Sequence, residues 1–167
     1  MTIEFSENVT GFVEGDIGLA NASTSNFVAV DGNTYTVDIT PDASGNITID
    51  VAADVAQDAA SNNNTAASQV SVTYDATVPT VAIQNAPAYK NNTTAFNVTI
   101  EFSEDVTGFV EGDISLTNAS TSNFVAVDGN TYTVDITPDA VGNITIDVAA
   151  DVAQDVASNN NTAASQV

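Results

Sequence analysis

Residues 2–70 return as residues 99–167, an offset of 97, and 64 of those 69 positions are identical. The five exchanges are Asn8 to Asp105, Gly18 to Ser115, Ala20 to Thr117, Ser44 to Val141 and Ala59 to Val156. Two nearly identical copies cannot contribute unlike halves to one active site. They suit a tandem array in which every unit is built, and used, in the same way.

Within one period the apolar residues alternate with polar ones. Phe96, Val98, Ile100 and Phe102 interleave with Asn97, Thr99, Glu101 and Ser103. Tyr132, Val134 and Ile136 do so with Thr133, Asp135 and Thr137, and Ile144, Ile146 and Val148 with Thr145 and Asp147. A period of two places one apolar face on a half-buried strand, and helical spacing fits none of these runs. Asp128-Gly129-Asn130 supplies a hairpin turn, residues 138–143 a longer turn, and residues 91–94 a polar loop. The spacing predicts strands over 80–84, 96–103, 114–119, 123–127, 131–137 and 143–149, with 68–74 as the last strand of the preceding copy. Seven short strands in about a hundred residues predict an all-β fold of immunoglobulin-like β-sandwich modules arranged end to end. Residues 1–70 then form a module lacking its first strand and part of its second. Residues 71–167 form a module with its entering linker, 71–74 belonging to the preceding one, and without a last strand of its own. The expected partners are neighbouring modules of the same array, with strands exchanged between chains as one way to complete each sandwich.

Composition removes several functions. Of 167 residues 22 are Asp or Glu and one is basic, Lys90, so the formal net charge is −21. Such a surface cannot neutralise phosphates, which excludes nucleic acid and anionic lipid as partners. No Cys and no His are present, so disulfides, thiolate chemistry and the commonest general base are all missing. No enzyme is expected. No apolar run approaches a membrane span, so no membrane insertion is expected in this segment. At 43% hydrophobic the chain still has material for a packed core.

The runs Thr99-Ile100-Glu101-Phe102-Ser103-Glu104-Asp105-Val106-Thr107-Gly108-Phe109, Gly112-Asp113-Ile114, Asp128-Gly129-Asn130-Thr131-Tyr132 and Tyr74-Asp75-Ala76-Thr77-Val78-Pro79-Thr80 carry a resemblance. With them the chain resembles the bacterial Ig-like repeats of giant surface adhesins of the RTX and biofilm-associated types. The resemblance covers essentially the whole chain. It implies an extracellular or cell-surface location and a role in an extended stalk or filament, with Ca²⁺ between modules. The alternative reading is an adhesin module that itself contacts a glycan or another surface.

Strand parity points independently to a cation. If successive strands run antiparallel, the second-to-third, fourth-to-fifth and sixth-to-seventh loops share one end of the sandwich with the entering linker. That end collects Asp75, then Glu104, Asp105, Glu111 and Asp113, then Asp128, and finally Asp151, Asp155 and Asn159. Two carboxylates about 4 Å apart repel by about 4 kcal/mol at an effective dielectric near 20, and no arginine is present to relieve them. Ca²⁺ takes six to eight oxygens in tolerant geometry and suits such a set better than Mg²⁺. Asp75, Glu104, Asp113, Asp151 and Asp155 are the leading candidate ligands, followed by Glu111 and Asp105. Glu7, Asp16, Asp54 and Asp58 are the counterparts in the first copy. The exchange of Asp105 for Asn8 marks that position as dispensable.

Overall fold

A computed structural model describes residues 1–89 and 93–167. Lys90 and the start of the polar loop expected at 91–94 lie outside the described residues. The chain divides into two compact units, Met1–Ala76 and Thr77–Val167. Both are all-β, as the alternation requires.

The first unit holds β1 (Thr2–Glu4), β2 (Ile17–Ala20), β3 (Ala22–Ala29), β4 (Thr34–Pro41), β5 (Gly45–Val51) and β6 (Val70–Tyr74). The second holds β7 (Val81–Gln84), β8 (Phe96–Phe102), β9 (Ile114–Thr117), β10 (Ala119–Ala126), β11 (Thr131–Pro138) and β12 (Thr145–Val148). A short 3₁₀ turn precedes β2 at Glu14–Asp16 and β9 at Glu111–Asp113.

All pairings among the described residues are antiparallel. The first unit has sheets in the order β1-β4-β3 and β2-β5-β6, and the second has β10-β11-β8-β7 and β9-β12. Equivalent strands keep one register: Ile3 faces Tyr35 as Ile100 faces Tyr132.

The core of the second unit lies between its two sheets. Val98, Ile100, Val134 and Ile136 from one face meet Ile114, Ile146 and Val148 from the other. β11 shows how the sequence produces this: Tyr132, Val134, Ile136 and Pro138 are buried, and the threonines and Asp135 between them are half-buried. Four aromatic rings close one end of the core. Phe109 stands edge-on to Tyr132 at 5.0 Å and to Phe102 at 5.2 Å, while Phe124 stacks on Tyr132 at 5.7 Å. Edge-to-face and offset stacks match the ring quadrupoles and stabilise beyond the area they bury.

One boundary differs from the alternation-based expectation. Ala119, expected at the end of a strand 114–119, begins β10, which runs without interruption through the expected start at Asn123. The break falls at Asn118, whose φ of 57° is left-handed. There the chain leaves the sheet of β12 and enters the sheet of β11 in a single residue. Asn tolerates this conformation because its short amide bonds locally, here donating Nδ2 to the Ala140 carbonyl at 2.9 Å. A second left-handed Asn, Asn123 at 53°, sits in the register shift between Ser122 and Val125. Its Nδ2 donates to Asp135 Oδ2 at 2.9 Å, so a bulge and not a turn interrupts the alternation.

The units differ most along one edge. β7 pairs with β8 from Val81 opposite Phe102 to Gln84 opposite Thr99, whereas among the described residues β1 pairs with β4 alone. Ile100 and Phe102 are therefore fully covered, at 0% and 1% exposure, and their equivalents Ile3 and Phe5 are only half-buried. Truncating a covered core isoleucine costs about 2–5 kcal/mol. Ile100→Ala is expected to cost that much and Ile3→Ala distinctly less, measured by urea unfolding of each variant against the parent. Equal losses would mean that β7 is not what covers Ile100.

Candidate functional site

Three loops of the second unit meet at the aromatic end of its core. The chain leaving β8 is held to the β10–β11 turn: Phe102 N donates to Asn130 O at 2.9 Å, Val106 N to Gly129 O at 2.9 Å, and Asn130 Nδ2 to Phe102 O at 3.0 Å. It is also held to the loop after β12, where Thr107 and Gln154 exchange backbone bonds of 2.7 and 3.0 Å. Gly108, with φ at 92°, turns the chain between Thr107 and the core ring of Phe109. That backbone conformation is open to glycine and strained for other residues.

The loop after β12 is organised from within by Asn161, which is 2% exposed. Its Oδ1 accepts from Val152 N at 2.9 Å and Ala153 N at 2.8 Å, and its Nδ2 donates to the carbonyls of Ala149 at 2.9 Å and Thr162 at 2.8 Å. Asn64 makes the same set in the first unit. A buried amide satisfied four times over fixes the loop as a strand ladder would fix a hairpin. Sequence reasoning missed it, because the Ser158-Asn159-Asn160-Asn161-Thr162 run reads as polar loop throughout.

Asp155 crowns that loop. Its Oδ1 accepts from Ala157 N at 2.8 Å and Asn159 N at 2.9 Å, and its Oδ2 accepts from Asn159 Nδ2 at 2.9 Å. The Asn159 side chain, the Asn159 amide and neighbouring backbone donors hold its pKa below the ordinary carboxylate value. Asp58 in the first unit repeats the arrangement with Asn62 and Ala60, and its pKa is lowered for the same reason. An oxygen of Glu104, which is half-buried, lies within 4.8 Å of an oxygen of Asp155. Two oxygens bound to one Ca²⁺ are separated by at most about 5 Å, twice the metal–oxygen distance, so this pair fits a shared calcium ion.

The other sequence candidates are placed differently. Asp113 ends the 3₁₀ turn, and its Oδ2 accepts from Val110 N at 2.8 Å; Asp16 does the same for Val13 N at 2.9 Å. Glu111 opens that turn and is exposed. The carboxylate of Asp105 sits over Gly129, where a Cβ would meet it at 2.6 Å. Asp128 shapes its own turn by accepting from Thr131 N at 2.8 Å. Asp151 is exposed with φ at 63°, and Asp54, likewise left-handed, accepts from Asn63 Nδ2 at 2.8 Å. Among the described residues none of Asp105, Glu111, Asp113, Asp151, Glu7, Asp16, Asp54 or Asp58 belongs to a group of three converging carboxylates. Asp75 is half-buried and stands one residue before the end of the first unit.

Asn161→Ala leaves the amides of Val152 and Ala153 without their acceptor and is expected to destabilise the second unit by about 2–4 kcal/mol, read as a lower urea midpoint. The pH dependence has a defined sign. Asp31, Asp58, Asp128, Asp135 and Asp155 are all depressed by hydrogen bonds in the fold. Their stabilisation is complete above the unfolded carboxylate value of about 4 and is lost as pH falls through the lower folded values. The urea midpoint is therefore expected to be level from pH 7 to about 5 and to fall below about 4. Asp155→Asn should lower the neutral-pH midpoint and flatten that acid decline.

Among the described residues no helix is long and apolar enough to cross a membrane. No curated protein and no solved structure matches the chain. A family model described as a bacterial Ig-like domain matches it twice, over residues 1–74 and again over residues 75–167. Domains of this kind are typically non-enzymatic and often extracellular. The two matches span the whole chain, in step with the internal repeat, and the chain belongs to the bacterial Ig-like domain family.

Proposed function

We propose that the chain is a structural stretch of an extracellular tandem array, a stalk or filament of Ig-like modules whose joints are stiffened by Ca²⁺. The observation that carries the structural role is the duplication of a whole module with 64 of 69 positions retained. Such copying preserves a mechanical unit and its spacing. The calcium reading is supported by the approach of Glu104 and Asp155 in a chain with no arginine to offset them.

In this reading Glu104 and Asp155 provide two of the oxygens, and Asp75, two residues before Thr77 in the chain, provides a third. Asp155 is suited to the task. A carboxylate has about four lone-pair sites, and the bonds to Ala157 and Asn159 hold its orientation and its charge while leaving capacity toward a cation. Ca²⁺ would supply charge neutralisation and bridging oxygen coordination, with water completing its shell. Extracellular modules bind calcium with Kd of roughly 10⁻⁴ to 10⁻³ M, and free calcium at about ten to a hundred times Kd adds about 1.4 to 2.7 kcal/mol per site. Repeated along an array, that gain favours ordered joints over bending ones.

The melting temperature of the chain in about 10 mM calcium is expected to exceed that in EGTA by about 6 °C or more. Glu104→Gln should abolish the difference, and Glu7→Gln should leave it intact. Identical melting curves in calcium and in EGTA would refute the calcium reading and leave the structural role standing.

A further inference from the structure

Both units carry the same long sheet edge in the interior of the sequence. β3 and β10, eight residues each, stand at the end of their sheets and, among the described residues, pair on one side alone, with β4 and β11. Residues 21–30 and 118–127 contain no charge and no proline, and Val28, Val30, Val125 and Val127 are exposed. An unpaired backbone of this length, flanked by exposed valines, is a template for a further strand. Lysine, proline and short length, which commonly protect such an edge, are all missing from these two stretches.

A single asparagine interrupts each edge. Ser122 faces Asp135 and Val125 faces Thr133, so Asn123 and Phe124 together stand opposite Val134. Without Asn123 the alternation is unbroken: Ala119, Thr121 and Phe124 are half-buried, and Ser120, Ser122 and Val125 are exposed. Asn123 is thus one residue too many for a regular strand, and Asn26 is the same insertion in β3. The two are left-handed, with φ of 53° and 52°. Each is pinned by its Nδ2, which donates at 2.9 Å to Asp135 Oδ2 and to Asp38 Oδ2 on the neighbouring strand. The core has no use for the extra residue, which is exposed, and alternation alone turns Phe124 toward the core it packs against.

We propose that β3 and β10 are pairing surfaces for a second copy of this chain, and that the Asn26 and Asn123 bulges hold them closed. The occupant follows from charge. A like chain carries 22 Asp and Glu, and two such chains repel wherever those residues approach. The uncharged edge is where they can meet without that repulsion, and about a two-fold axis it would pair antiparallel with itself. A bulge bends its strand and takes one residue out of the ladder, which cuts the regular run of β10 to Ala119–Ser122. In an array every copy carries this edge, and the bulges keep neighbouring chains from zipping together. The inference uses the repeat and needs no calcium, so its test is run in EDTA, where it can fail while the calcium reading stands.

The chain is prepared without Asn26 and Asn123 and compared with the parent by sedimentation velocity over a range of concentrations. The parent is expected to stay monomeric. The double deletion is expected to unfold cooperatively in urea, as the parent does, and to shift with concentration to dimers and larger species. Adding Val28→Glu and Val125→Glu sets like charges on the pairing edge and is expected to return it to monomer. A deletion chain that stays monomeric overturns the proposal, as does association that the two glutamates leave unchanged. Association of the parent that the same glutamates abolish also overturns it, since the bulges then close nothing. The single deletions are made in parallel, and either one that folds is held to the same expectation. Loss of cooperative folding in both overturns the proposal as well, by making the bulge a requirement of the sandwich.

Discussion

The interlock of two apolar faces is the constraint on which the rest of each unit depends. In the second unit Val98, Ile100, Val134 and Ile136 project from one sheet into Ile114, Ile146 and Val148 of the other. With no disulfide and only one basic residue, the chain has neither a covalent staple nor a network of ion pairs to substitute for that contact. Whether the interlock is complete then depends on strand supply. β7 covers Ile100 and Phe102, and without such a strand Ile3 and Phe5 remain half-exposed in an otherwise equivalent sandwich. β6 has a parallel effect on the other sheet: beside it β5 extends from Gly45 to Val51 and Ile47 is buried, while β12 covers only Thr145–Val148 and Ile144 is half-buried. Each unit is thus covered at one edge by the strand nearest the junction of the two units in sequence, β6 in the first and β7 in the second.

The loops carry their own order on top of this core. Asn161 and Asn64 turn a polar segment into a fixed one by satisfying four backbone groups each. On that platform Asp155 and Asp58 are held ionised by their hydrogen bonds. Two of the other acids at this end are engaged in local backbone geometry, Asp113 at its 3₁₀ turn and Asp128 at its hairpin, while Asp105 lies over Gly129. The acidity of the chain is therefore of two kinds. One part shapes turns, where a carboxylate accepts backbone donors, and the other is left to face solvent or a cation.

Much of the fold was legible before any coordinate, because period-two alternation and its turn residues are local signals. The strands over 80–84, 96–103, 131–137 and 68–74 appear within two residues of where the alternation placed them. The Asn118 crossing was not legible, since the strand expected over 114–119 runs one residue past it and only its left-handed backbone reveals that the chain changes sheets. The candidate site was legible in part. Strand parity correctly grouped the loops bearing Glu104, Asp128 and Asp155, which backbone bonds tie together. Parity assigns a loop to an end and says nothing about where a side chain points, so Asp113 and Asp151 ranked as high as Asp155.

The sequence by itself determined the modular repeat, the all-β class, the exclusion of thiol and histidine chemistry and the anionic surface, because each follows from residue identity or from a spacing of two. Tertiary structure alone decided which carboxylates are consumed by turns and which asparagine is buried. Those outcomes depend on distances between residues far apart in the chain. Asn64 and Asn161 show the division plainly: in sequence each is one of several loop asparagines, and only the packing of strands around it makes it the fixed point of its loop.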